Sequence, residues 1–184
     1  MKDLVVIGID PGAVGGFCFN RPSGEVECHA MPATPRDACD IIATAKMYAD
    51  MNNLPCHCFM EEVGGYVGGV GQPGSAMFNF GKNFGRLEGF LIATSIPFTL
   101  VRPQKWQPAI GASFQPRTKA KYDGLKGDIL KAEKARVAKA NANRKRDNKN
   151  QLKEIAQRLY PKLSVTLKTA DAILIFHYGI NQQK

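Results

Sequence analysis

The sequence predicts an α/β fold: a five-stranded mixed β-sheet flanked by helices, with a basic helical insertion. Three observations point there. Short apolar runs alternate with stretches of helical spacing in the order β-β-β-α-β-α-β-α, which calls for a mixed sheet rather than an all-parallel one. Two of those runs are apolar throughout and stop on an acid, as buried strands do when they reach a functional edge. One segment in the second half of the chain holds nearly all of the excess positive charge.

The elements follow in order. Leu4 to Ile9 is a continuous apolar run that ends in Asp10-Pro11-Gly12, a buried strand stopped by a turn. Gly15 to Asn20 and Glu25 to Met31 read as a second and third strand, with Arg21-Pro22-Ser23-Gly24 as the hairpin turn between them. Pro35 to Asn53 has helical spacing at Ala38, Ile41, Ile42, Ala45 and Ala49. Cys56 to Met60 is a fourth strand running into Glu61-Glu62, and a glycine-rich stretch, Gly64 to Gly74, comes next. Ser75 to Ser95 reads as a helix, Ile96 to Val101 as the fifth strand, and Pro103 to Ile110 as a short helix. The segment from about Asp123 to Asn143 is rich in Ala, Lys and Glu and is helical by propensity. A separate helix is expected over Asn148 to Leu159, stopped by Pro161, and an apolar helix over Asp171 to Ile180 closes the chain.

With 184 residues the chain fits one domain over 1–184, with the insertion at about 115–147, and it can bury one sizeable core. At 44% hydrophobic residues it is globular rather than disordered. No apolar run approaches the ~18 residues of a membrane span, and the start of the chain lacks a signal peptide, so a cytoplasmic protein is expected. The five cysteines, odd in number and without a disulfide-framework spacing, agree with a reducing compartment. Cys56-His57-Cys58 lacks the C-x2-C spacing of structural zinc sites and reads as part of a strand. Between Arg117 and Lys149 stand twelve Lys or Arg against four acids, an excess of eight in a chain of net charge +9. A block of this kind is the footprint of a phosphate-backbone partner.

Asp10 sits where a buried strand ends, Glu61 and Glu62 do the same at the end of the fourth strand, and Asp171 shares a helix face with Leu174, Ile175 and Tyr178. Each carboxylate has lost hydration and needs a cation or donors to stay charged. Asp171 alone could be a first-turn carboxylate favoured by the helix dipole. Three such acids at element ends favour a shared site for Mg²⁺ or Mn²⁺, which take oxygen ligands of this kind. Metals in such a site activate water and neutralise the leaving oxygen in phosphodiester hydrolysis.

Taken in order, these segments resemble the motifs of RuvC-type Holliday-junction resolvases, on an RNase H-like fold. Ile7-Gly8-Ile9-Asp10-Pro11-Gly12 with Gly15-Gly16-Phe17 is similar to the family's opening. Phe59-Met60-Glu61-Glu62-Val63 is similar to its second acidic motif, with Glu61 in register for the metal. Phe80-Gly81-Lys82-Asn83-Phe84-Gly85 resembles the segment that follows, and Arg102-Pro103-Gln104-Lys105-Trp106 resembles the stretch carrying the family's lysine. Thr169-Ala170-Asp171-Ala172-Ile173-Leu174 resembles the last acidic motif. The match covers most of the chain outside the basic insertion, and its compact form resembles phage-encoded members. The resemblance implies a structure-selective endodeoxyribonuclease with Asp10, Glu61 and Asp171 as catalytic metal ligands for two Mg²⁺ or Mn²⁺ ions. It implies Lys105 at the DNA near the scissile phosphate, branched DNA as substrate, 5′-phosphate and 3′-hydroxyl products, and a homodimer whose two-fold axis matches that of a four-way junction.

The chain departs from the pattern at Lys168, three residues before Asp171, where family members carry a second acid. Either the Lys168 ammonium offsets charge near the site and the second metal is weakly held, or Lys168 faces solvent and Glu62 or a water fills the gap. The glycine-rich stretch lacks the Gly-Lys-Ser/Thr of a phosphate loop. Tyr66 within it either stacks on an unpaired base or packs on the surface. Lys119, Lys121, Lys126, Arg144, Lys145 and Arg146 are the expected phosphate contacts, giving salt dependence with little sequence information. Trp106 reads as core. His177 lies about 240° around its helix from Asp171, so no acid–base pair is expected of them. Four other readings compete: an RNase H-fold nuclease acting on RNA-containing substrates, a junction-binding protein without activity, a two-lobed ATPase, for which the chain is too short, and a plain basic structural protein, which leaves the acids at element ends unexplained.

Overall fold

The computed structural model describes residues 3–62, 74–119 and 122–183; Tyr66, Lys121 and most of the glycine-rich stretch lie outside the described residues. Five strands, β1 (Val5–Asp10), β2 (Gly16–Asn20), β3 (Val26–Ala30), β4 (Cys56–Glu61) and β5 (Phe98–Val101), form one sheet in the order β3-β2-β1-β4-β5. The β1-β2-β3 side is antiparallel, and β1-β4 and β4-β5 are parallel. This is the mixed, five-stranded sheet that the element order predicts. The parallel pairs place the last residues of β1 and β4 at the same edge, since Ile9 pairs with Met60.

Side chains that alternate across the strands feed two cores. Val5, Ile7, Ile9, Phe17, Phe19, Cys58 and Met60 face α1 (Pro35–Met51) and α2 (Gly74–Ala93), burying Ile42, Ala45, Leu87 and Leu91. Val6, Cys18 and Phe59 face the opposite layer: α3 (Pro103–Ala109), α4 (Gly127–Leu159) and α5 (Ala170–Gln182). Thr34 caps α1 by accepting the Asp37 N–H at 3.1 Å, with Pro35 in the first turn.

Gly8 brings α5 close onto β1. A Cβ there would stand 2.4 Å from the Phe176 nitrogen and 2.5 Å from the Ala172 oxygen, so α5 lies backbone against backbone on β1. Gly179 makes a second such approach, onto the Phe59 ring. These contacts explain why α5 is apolar on nearly every side, with Ile173, Leu174, Ile175 and Phe176 all fully buried.

One difference from the sequence reading concerns α4. The segments expected as an insertion helix and a separate helix from Asn148 form one continuous helix, Gly127–Leu159, about 50 Å long at 1.5 Å per residue. No glycine or proline lies between Asn143 and Asn148, so nothing breaks it. Its last third buries Leu152, Ile155 and Ala156 against α5; its first two turns are largely exposed.

Candidate active site

Asp10 ends β1, Glu61 ends β4 and Asp171 lies in the first turn of α5, and the fold gathers the three at one edge of the sheet. The Gly12 N–H donates to Asp10 Oδ1 at 3.0 Å. Gly15 closes over the same carboxyl: a Cβ at that position would lie 2.6 Å from Asp10 Cγ and 2.3 Å from its backbone oxygen. Asn83 of α2 donates to the Pro11 oxygen at 2.7 Å and so ties the turn after Asp10 to the helical layer.

Glu61 is held by Trp106, whose indole Nε1 donates to Oε2 at 3.0 Å. Burial and the neighbouring charges of Asp10 and Asp171 push the Glu61 carboxyl up to about 8, against the smaller opposing pull of Trp106 and Lys149. Burial also raises Asp10, offset in part by the Gly12 hydrogen bond and Lys149. Asp171 is raised by burial and by Asp10, with Lys149 pulling the other way. Three largely desolvated carboxyls, with Asp10 raising the other two and Asp171 raising Glu61, are a site short of positive charge.

Lys149 supplies the only cation acting on all three among the described residues. Its Nζ reaches Asp171 Oδ2 at 3.3 Å from the inner part of α4. In sequence Lys149 is one member of the basic block, with no motif to single it out. Its signal was its place in the last turns before the buried stretch Leu152–Ala156, where a lysine is carried inward. The role of Trp106 was half legible: it is fully buried, as a core residue should be, but its N–H is directed to Glu61.

The other candidate residues lie around this centre rather than in it. Glu62 points the opposite way from Glu61, as alternation requires, and is held by Arg102 through Nε and Nη2 at 2.9 and 3.0 Å, which lowers its carboxyl. Lys105 acts on Glu62 and lines a cavity of about 280 Å³ with His57, Thr99, Tyr178 and Gln182. Lys168 is exposed, in a turn held by Thr166 and Thr169. Lys119, Lys126 and Arg146 are exposed along and before α4, Arg146 beside Asp147 at 3.3 Å. Arg144 and Lys145 line a small cavity together with Arg117.

An all-oxygen set drawn from Asp10, Glu61 and Asp171 fits a hard divalent cation in charge and donor type. Among the described residues no three His, Cys, Asp or Glu side chains are arranged as a closed metal cage; the carboxyls turn to Gly12, Trp106 and Lys149.

Among solved structures, the chain is similar to Thermus thermophilus RuvC in complex with a Holliday junction substrate. The TM-score is 0.51 at 13% identity, over 95% of this chain and 91% of that one. The fold is RuvC-like. A second Thermus thermophilus RuvC structure aligns over 97% of this chain and 96% of its own, with a TM-score of 0.47 and 14% identity. No family model matches the sequence, and no curated protein matches it. In this fold the three acids occupy the C-terminal edge of the parallel strands and the start of the last helix. Among the described residues no helix is long and apolar enough to cross a membrane.

Proposed function

We propose that this protein is a divalent-metal-dependent endodeoxyribonuclease that cuts four-way and related branched DNA. The observation that carries the reading is the convergence of Asp10, Glu61 and Asp171 on a RuvC-like fold, each raised by burial and facing one lysine. Asp10, Glu61 and Asp171 would hold Mg²⁺ or Mn²⁺, up to two ions. Bound there, the metal supplies an activated water and a sink for charge on the leaving oxygen.

The chain's own residues prepare that chemistry. The Gly12 N–H and the space left by Gly15 fix the Asp10 carboxylate. Trp106 orients Glu61 and shields it from water. Lys149 offsets carboxylate repulsion and is placed to meet a phosphate oxygen entering the site. The exposed cations of α4 hold the arms through phosphates. Two copies related by a two-fold axis would cut opposed strands of a junction.

The test is cleavage of a labelled, mobile four-way DNA junction with Mg²⁺ and then Mn²⁺, wild type beside Asp10→Asn. Paired symmetric nicks lost in the variant, with binding retained, are expected. Tight binding without cleavage in either metal would replace the reading with a junction-binding protein, for which the lysine at 168 is the motive. Cleavage of an RNA–DNA hybrid in preference to the junction would keep the metal chemistry and change the substrate.

A further inference from the structure

Away from the three acids, α4 carries a built cavity of about 240 Å³ lined by Arg117, Ala138, Asn141, Ala142, Arg144 and Lys145. No carboxylate lines it, and among the described residues none of its three cations is paired with an acid. The stretch leading to Arg117 is strapped onto the helix. Asn141 grips Thr118 from both sides, accepting its N–H at 3.0 Å and donating to its oxygen at 3.1 Å. Arg144 Nη1 donates to the Gln115 oxygen at 3.2 Å. These bonds hold Arg117 over Arg144 and Lys145 instead of leaving it on a loose loop.

The strap leaves one group unsatisfied. Arg144 Nε is shut off from solvent and has no acceptor among the described residues. A buried donor on a charged group without an acceptor is costly, which marks the guanidinium as held in place by the strap rather than by a partner of its own. Three cations around a small cavity, with no carboxylate among its lining residues, match an oxyanion in charge and donor chemistry.

We propose that this cavity is a phosphate subsite that grips one backbone phosphodiester of a DNA strand. The inference rests on the nuclease reading and adds to it a fixed position. Lys145 stands one helical turn before Lys149, so the two lie on one face of α4, about 6 Å apart along its axis. A phosphate seated between Arg117, Arg144 and Lys145 therefore sets which phosphate of the same strand reaches Asp10, Glu61 and Asp171. The remaining cations of α4 act as diffuse charge, and this pocket acts as a register stop.

The test uses the full chain without metal, so that binding is read apart from cleavage. Arg117→Gln, Lys145→Gln and Lys139→Gln each remove one charge, the last from an exposed position of α4 outside the cavity. Affinity for a four-way junction at fixed salt should fall about tenfold for the two cavity variants. It should fall no more than about threefold for Lys139→Gln. Equal losses in all three would overturn the subsite while leaving the nuclease reading standing. The Arg144 Nε–H resonance provides a second reading that does not depend on cleavage. It should shift saturably with a short single-stranded oligodeoxynucleotide, and the shift should vanish in Arg117→Gln. No shift with either the oligonucleotide or inorganic phosphate would overturn the proposal outright. A shift with inorganic phosphate and none with the oligonucleotide would overturn its assignment to a DNA strand.

Discussion

Lys149 of α4 and Asp171 of α5 meet at 3.3 Å, with the lysine half exposed and the aspartate largely covered. A helix otherwise given over to surface charge thus delivers one ammonium into a pocket of buried carboxyls. Lys149→Gln separates the two effects of that charge. Divalent cations should bind the variant more tightly, because a competing cation is gone. Cleavage should slow by on the order of 10²-fold, the usual cost of losing a positioned charge at a developing oxyanion. Calorimetric titration with Mn²⁺ beside single-turnover cleavage checks both. A variant that weakens metal binding and leaves the rate alone would contradict the assignment.

The raised Glu61 carboxyl gives the metal-free protein a defined pH dependence. Folded Glu61 keeps its proton up to about pH 8, whereas an unfolded glutamate loses it near 4.5. Between those values the folded state binds more protons, so metal-free stability falls as pH rises from 4.5 to 8. The loss should be on the order of 1–3 kcal/mol once relaxation around the buried group is allowed for, and Asp10 and Asp171, also raised, add to it with the same sign. Urea unfolding across pH reads it, and Glu61→Gln should flatten the curve.

Metal binding should show the same proton. A divalent cation must displace it below pH 8, so affinity is expected to rise by up to about tenfold per pH unit and then level off. Titrations in buffers of different ionisation enthalpy would report the released proton. An affinity independent of pH between 6 and 8 would mean that Glu61 is not a ligand.

Trp106→Phe keeps most of the buried ring and removes the N–H that holds Glu61. The fold should survive with a loss of about 1–2 kcal/mol. Cleavage should fall mainly in kcat, since the change misplaces a carboxyl without touching the surface that grips DNA. A pure rise in KM would place Trp106 at the substrate instead.

Gly15→Ala is expected to be severe. Its Cβ would collide with the backbone oxygen of Asp10 as well as the carboxyl, and backbone cannot swing aside as a flexible side chain can. A stability loss of about 1–3 kcal/mol, with activity lost alongside, would be seen by thermal unfolding and cleavage together. Gly24→Ala, where nothing lies within 4 Å but φ is +89°, should cost only the strain of a left-handed turn and leave cleavage intact.

The sheet was legible because its information is local. Val5 to Asp10 and Cys56 to Glu61 are apolar runs that stop on an acid, and their burial follows from composition alone. The three acids could be picked out for the same reason: a charge at the end of a buried element stands out against its neighbours. Lys149 could not, because one lysine in a block of twelve basic residues looks like the others until α4 is packed against α5. The same holds for Lys105, which adjoins Trp106 in sequence yet acts on Glu62 rather than on the three carboxyls. Which way each faces is decided by how α3 lies on the sheet, and no spacing rule in seven residues conveys that. Two helices expected over Asp123–Asn143 and Asn148–Leu159 are one, since no residue between them stops a helix.

Gly8 has a consequence that reaches beyond packing. Two residues before Asp10 and opposite Ala172, it lets main chain rest on main chain, so no side chain separates the strand that carries one carboxyl from the helix that carries another. Substitutions accumulating elsewhere in the interior can exchange one aliphatic group for another without altering that spacing. The distance between Asp10 and Asp171 is thereby insulated from the drift of the rest of the core, and a lineage could change most of its hydrophobic residues while keeping its chemistry aligned.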